Sequence, residues 1–182
     1  LPYFDFNLDL NLKSINFTKL YNYFLTLDKE RQLKLFKINE KINGKISISA
    51  DKVYSKYDLV KSFESRLKFY NGNLNVEQLL MNLGKLGASD LVGSIVNDKK
   101  FTNFKFESNI FVDNNKKFSS KFGIYGKESV PSSFFISGNF DFKNIKMSLY
   151  EISAEKKLSP EDTNYIEQEF NDFILEEGYD NL

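Results

Sequence analysis

The chain has 182 residues and a mass of 21.2 kDa, enough for one domain that buries about 70% of the surface its unfolded form exposes. It contains no Cys and no His, which excludes disulfides, thiolate nucleophiles, zinc sites of the usual ligand types and every His-dependent triad. Net charge is zero, yet residues 151–182 hold ten acids and two lysines, while the preceding basic excess is spread as alternating Lys with only Arg31 and Arg66, forming no nucleic-acid stripe.

Carboxylates, Lys, Ser and Tyr remain for catalysis, and they are scattered without a Gly-rich phosphate loop or a G-x-S-x-G elbow. No run approaches the ~20 apolar residues of a membrane span, and no signal peptide is visible. The absence of Cys fits an oxidising envelope compartment and many cytosolic proteins alike. A start at Leu1 rather than Met and an end at "EEGYDNL" read as an excerpt of a longer chain, so any anchor or export signal would lie outside it.

In chain order, "YFDFNLDLNLK" comes first, with Phe4, Phe6, Leu8, Leu10 and Leu12 alternating with Asp5, Asn7, Asp9, Asn11 and Lys13. This is a strand whose apolar face must lie against something, either the protein's own core or a ligand as apolar as that core. Phe17, Leu20, Tyr21, Phe24 and Leu27 follow helical spacing, and a second helical stretch or a strand is expected near residues 29–40. Gly44 restarts period two, with Ile46 and Ile48 on one face and Ser47 and Ser49 on the other. Tyr57, Leu59, Phe63, Leu67 and Phe69 then share a face, and Asn71-Gly72 supplies a hairpin turn into Leu74 and Val76.

Residues 77–86 read as a short helix stopped by Gly84 and Gly87. "ASDLVGSIVN" is a strand with a bulge or bend expected at Gly93. Phe104, Phe106, Ile110 and Val112 share a face of the next strand, and Phe118 and Phe122 suggest one or two helical turns before Gly123. A last hairpin places Phe140 and Phe142 before turn residues Lys143-Asn144 and then Ile145, Met147 and Leu149. The final helix is the best marked: Ser159 as N-cap, Pro160 in first position, Glu161 and Asp162 at the positive end, Gly178 as stop. Ile166, Phe170, Phe173 and Ile174 line one side of it, while Glu167, Glu169, Asp172 and Glu176 line the other, predicting an amphipathic helix packed on the sheet with its acidic face in water.

The chain is therefore mainly β with some α, built as residues 1–150, a β-rich segment, followed by 151–182, an acidic C-terminal helical segment. No exact internal repeat is visible. A looser unit of strand, short helical stretch and strand recurs near residues 70–95 and 104–140, suggesting a sheet extended by successive additions rather than a closed barrel.

The stretch "GKISISADKVYSKYDLVKSFESRLKFYNGNLNVEQLLMNLGKLGASDLVGSI" resembles the AsmA-like family of bacterial envelope proteins. The likeness lies in the order of a "G-x-I-x-I-x-A" strand (Gly44 to Ala50), a strand ending in Asn71-Gly72, an "L-x-V-x-x-L" segment (Leu74 to Leu79) and an "L-x-G-x-I" strand (Leu91 to Ile95). "FKFESNIFVDN" and "KFSSKFGIYG" look like the next strand and helix, so that the resemblance covers residues 1–150. It implies an elongated, curved antiparallel sheet forming an apolar groove, and a protein anchored in the inner membrane and lying in the periplasm of a Gram-negative bacterium. It also implies passage of phospholipid between membranes, or support of outer-membrane assembly.

Acyl chains and a hydrophobic core ask the same of a strand, so alternation leaves both open. With roughly eight strand segments and few helices, one curved sheet has more apolar face than its helices cover, so it either folds into a sandwich or leaves a trough. The favoured expectation is a non-catalytic lipid-binding or lipid-conducting segment without cofactor or metal. Its groove face would comprise Phe4, Phe6, Leu8, Leu10, Leu59, Phe63, Leu67, Phe69, Phe104, Phe106, Ile110 and Val112, and its partners would be phospholipid acyl chains. The alternative is a structural or assembly β domain with a sealed core. An enzyme would have to draw on carboxylates such as Glu151 or the Glu176-Glu177-Asp180 cluster.

Overall fold

A computed structural model describes residues 4–35, 39–55, 58–96, 103–122, 130–144 and 146–180. The alternating stretches at residues 4–12, 44–50, 63–69 and 104–112 all lie within strands. In chain order the elements are β1 (Phe4–Leu12), β2 (Ile15–Asn16), α1 (Phe17–Thr26), α2 (Lys29–Leu35), β3 (Ile42–Ala50), β4 (Val53–Tyr54), β5 (Ser62–Tyr70) and β6 (Asn73–Asn82). A 3-10 turn (Gly84–Leu86), β7 (Gly87–Ile95), β8 (Asn103–Val112), α3 (Asn115–Phe122), β9 (Ser133–Asp141), β10 (Lys146–Ser153) and α4 (Pro160–Asp180) follow.

Eight strands form one open sheet in the order β1-β3-β5-β6-β7-β8-β9-β10, and β2 pairs with β4 beside it. All neighbours in the large sheet are antiparallel except β1 and β3, whose parallel pairing is permitted by the long return through α1 and α2. Strand makes up 54% of the structure and helix 25%, so the fold is mainly β and the sheet does not close.

Local chemistry fixes the connections. Asn71 (φ 49°) and Gly72 (φ 78°) both take positive φ, as a two-residue hairpin turn matching the twist of its strands requires. Asp141 Oδ1 accepts the Lys143 and Asn144 amides at 2.8 and 3.2 Å, closing the β9–β10 turn. Asn16 caps α1 by accepting the Lys19 amide at 2.8 Å. The Ser159 hydroxyl accepts the Asp162 amide at 3.1 Å and donates to the Asp162 carboxylate at 2.7 Å, which starts α4 as expected.

Four expectations are corrected. Residues 77–86 are not a helix, because β6 runs to Asn82 and only Gly84–Leu86 coils. Two residues of β6, Glu77 and Gln78, oppose Val92 alone, and this bulge throws the apolar set out of period two. Val76, Leu79, Leu80 and Leu83 thereby mimic helical spacing, and the irregularity expected at Gly93 sits on the strand opposite it. Leu59 belongs to the segment before β5 rather than to the strand, while Tyr57 lies outside the described residues. Gly178 does not stop α4, which continues to Asp180.

The fourth correction concerns how α4 docks. Thr163 is buried and Glu167 and Asn171 are half-buried, whereas Ile166 and Phe170 are 37% and 42% exposed. The helix meets β10 through Thr163, Glu167 and Asn171; Glu169 and Asp172 are exposed as expected, and the side chains of Phe173, Ile174 and Glu176 lie outside those described. Asn171 accepts the Met147 amide at 2.7 Å and donates to the Met147 carbonyl at 2.8 Å, and Glu167 accepts the Leu149 amide at 2.7 Å. An edge strand carries unpaired amides and carbonyls, and these three bonds satisfy them more directly than apolar packing would.

Candidate functional site

Register decides which side chains share a face, because successive residues point to opposite sides. Phe4, Phe6, Leu8 and Leu10 pair with Ile42, Gly44, Ile46 and Ile48. Across the next ladders Ile46 meets Leu67, Ala50 meets Phe63, Gly44 meets Phe69, and Phe63 meets Met81. Leu74 then meets Ile95, Ile95 meets Phe104, Gly93 meets Phe106, Ser89 meets Ile110, and Gly87 meets Val112. Ile110 continues to Phe134, Phe104 to Phe140, and Phe140 to Met147.

The pairing therefore brings Phe4, Phe6, Leu8, Leu10, Phe63, Leu67, Phe69, Phe104, Phe106, Ile110 and Val112 onto one apolar face spanning all eight strands. Leu59 is not in the ladder. Ile42, Ile46, Ile48, Leu91, Phe134, Ile136, Met147 and Leu149 join the same face; the signal for them was the same alternation, but their strand neighbours could not be read without the ladder. The reverse face carries Asp5, Lys45, Glu64, Arg66, Lys105 and Glu107.

Burial divides this face along its length. Ala50, Val53, Leu83, Val112, Val130 and Ile152, all below 9% exposed, gather at the sheet end where β1 finishes and β9 begins. Two helices lay aromatic rings on that end: Phe17 of α1 stacks on Phe63 (centroids 5.6 Å) and Phe118 of α3 on Phe134 (6.1 Å). Away from that end Ile95 is also buried, at 4%, between Leu74 and Phe104, while Phe6, Phe69, Phe104 and Phe106 are half-buried and Phe4, Leu8 and Leu10 of the edge strand β1 are 66%, 42% and 38% exposed; no large side chain described is fully buried.

Aromatic rings also line the far end. Phe6 lies 5.9 Å from Phe4 and 6.0 Å from Phe69, and Phe104 lies 6.1 Å from Phe106. These rings recline over glycines of the adjoining strands. A Cβ on Gly44, Gly93 or Gly138 would come within 2.6 Å of the Phe6 ring, 2.5 Å of the Phe104 ring or 3.0 Å of the Phe106 ring. Ser65, Ser89 and Ser108 are buried in the same face with their hydroxyls engaged. Ser89 and Ser108 lie 3.1 Å apart, Ser108 donates to the Asp90 carbonyl at 2.7 Å, and Ser65 donates to the Ile48 carbonyl at 3.3 Å. They are low, internally satisfied points in an apolar floor, and none is held by a titratable base.

The ionisable groups lie elsewhere. Lys157 donates to Glu151 at 2.7 Å, and this bond holds the Glu151 carboxyl below the ordinary range; Lys61, bonded to Asp58, does the same there. Glu176, Glu177 and Asp180 fall in the last turns of α4. Among the described residues no group of three Asp, Glu, His or Cys could hold a metal ion, and no helix is long and apolar enough to cross a membrane.

A lowered folded-state pKa contributes stability above the unfolded value that is lost as pH falls through the folded one. Both pairs are exposed and each contributes little. With no His or Cys to titrate, the melting temperature is expected to be flat from about pH 6 to 8 and to fall only below about pH 4. A change of several degrees between pH 6 and 8, followed by circular dichroism, would contradict this. The sequence matches no known family model and no curated protein.

Proposed function

We propose that the chain is a non-catalytic lipid-binding segment whose apolar sheet face receives phospholipid acyl chains, as part of an AsmA-like envelope protein that conducts lipid between membranes or supports outer-membrane assembly. The observation that carries this reading is the register-locked apolar face, continuous over eight strands, many of whose large side chains are only half-buried or are exposed. An exposed apolar surface of this extent is costly in water and usually marks a binding site. Eight methylenes laid on it would gain about 6 kcal/mol, at ~0.8 kcal/mol each, with no chemistry required. The resemblance of Gly44 to Ile95 to the AsmA-like family supports the same reading, and with it a periplasmic setting and an inner-membrane anchor beyond these residues.

The competing reading, a structural β domain, draws on the sealed end, where Phe17 and Phe118 cover Phe63 and Phe134. The two separate in one experiment: purification without detergent, organic extraction and quantification of phospholipid per chain. Near-stoichiometric phospholipid is expected. A lipid-free protein that also fails to take up fluorescent phosphatidylethanolamine from vesicles would reject lipid binding.

A further inference from the structure

The two edges of the large sheet are built differently. β10 is capped by Asn171 and Glu167 of α4, whereas no described residue bonds to the outer side of β1. The Phe4 amide bonds the Lys41 carbonyl at 3.0 Å and the Asp51 amide bonds the Leu12 carbonyl at 3.1 Å. Even-numbered residues of β1 thus turn their backbone groups to β3, and Asp5, Asn7, Asp9 and Asn11 turn theirs outward. Edge strands are ordinarily blunted by shortness, proline, a bulge or lysine. β1 has nine residues in unbroken register without proline, bulge or lysine, and its only charged side chains are Asp5 and Asp9.

We propose that this edge is completed by a strand of another polypeptide in which apolar residues alternate with Lys or Arg. The apolar positions would continue the face of Phe4, Leu8 and Leu10, whose exposure reflects the missing neighbour. The basic positions answer Asp5 and Asp9, which point to the reverse face and make no ion pair among the described residues. A second copy answers these acids less well: its β1 would bring only Asp5, Asn7, Asp9 and Asn11 to that face, with no basic partner, and in the register centred on Asn7 it sets Asp5 opposite Asp9.

The probes are two nine-residue peptides, one alternating Leu with Lys and one alternating Leu with Glu, titrated into the full chain. Anisotropy is expected to give at least tenfold tighter binding of the Lys peptide. Hydrogen exchange is expected to slow at least tenfold at the amides of Asp5, Asn7, Asp9 and Asn11, which an occupant of the apolar face alone would leave unchanged. Asn7→Pro removes an outward amide without touching the β3 ladder and should weaken binding at least tenfold. Should that variant fail to fold, Asp5→Lys with Asp9→Lys carries the test by inverting the preference toward the Glu peptide. Equal affinity for both peptides, binding of neither, no protection at the four amides, or self-association abolished by Asn7→Pro would each overturn the proposal.

Discussion

Replacing Phe106 with Asp is expected to remove most bound phospholipid while lowering stability by only about 1–3 kcal/mol, whereas Ile95→Asp is expected to unfold the domain. Both residues occupy the apolar face, and the contrast comes from their surroundings. Phe106 is half-buried, its ring reclining over Gly138 beside Phe104, so that a shorter Asp there still reaches water. Ile95 is 4% exposed and opposes Leu74 and Phe104, so an Asp there is an unpaired buried charge costing several kcal/mol of a total near 5–15. At roughly 2–4 °C per kcal/mol, the first change is a shift of several degrees and the second abolishes the transition. Thermal unfolding and lipid extraction, run on both variants, distinguish a receiving surface from a sealed core. An unfolded Phe106→Asp together with a lipid-free wild type would leave the structural β domain standing.

That the experiment can be framed at all depends on how regular the alternation is. In β1, β3, β5 and β8 period two assigns each side chain to a face before any strand is paired, and Asn71-Gly72 marks its hairpin unaided. Pairing order is less local. The parallel neighbour relation of β1 and β3 depends on how α1 and α2 return the chain, and no residue in either strand encodes it. The bulge at Glu77-Gln78 shows the other limit, since one extra residue turned a strand into an apparent helix. What period two could not supply was the division of the face into more and less buried residues. That division comes from where α1 and α3 land, which is tertiary.

The two ends of the face carry different costs. Where β1 finishes, Ala50, Val112 and Ile152 are buried and exclude water. At the other end aromatic rings lie against one another and against glycines of the adjoining strands, which limits the apolar area left in water. A strand with larger residues at Gly93 or Gly138 would lift the rings and roughen the floor.

The docking of α4 yields the second large effect, and its order inverts what the amphipathic pattern predicts. If Ile166 and Phe170 held the helix, Phe170→Ala would cost 3–5 kcal/mol, the usual range for a buried Phe. Phe170 is 42% exposed, so about 1 kcal/mol is expected instead. Asn171→Ala removes both the acceptor of the Met147 amide and the donor to its carbonyl, leaving a part-buried strand edge unpaired at about 1–3 kcal/mol for each group that water does not reach. Glu167→Gln keeps an acceptor for the Leu149 amide and should stay within about 0.5 kcal/mol of wild type. Denaturant unfolding of the three variants ranks them directly. Freed of its cap, β10 also becomes a second open edge, so the Asn171→Ala protein is expected to self-associate with rising concentration in sedimentation velocity. A Phe170→Ala penalty above that of Asn171→Ala would mean that the apolar stripe, and not the polar one, holds the helix to the sheet.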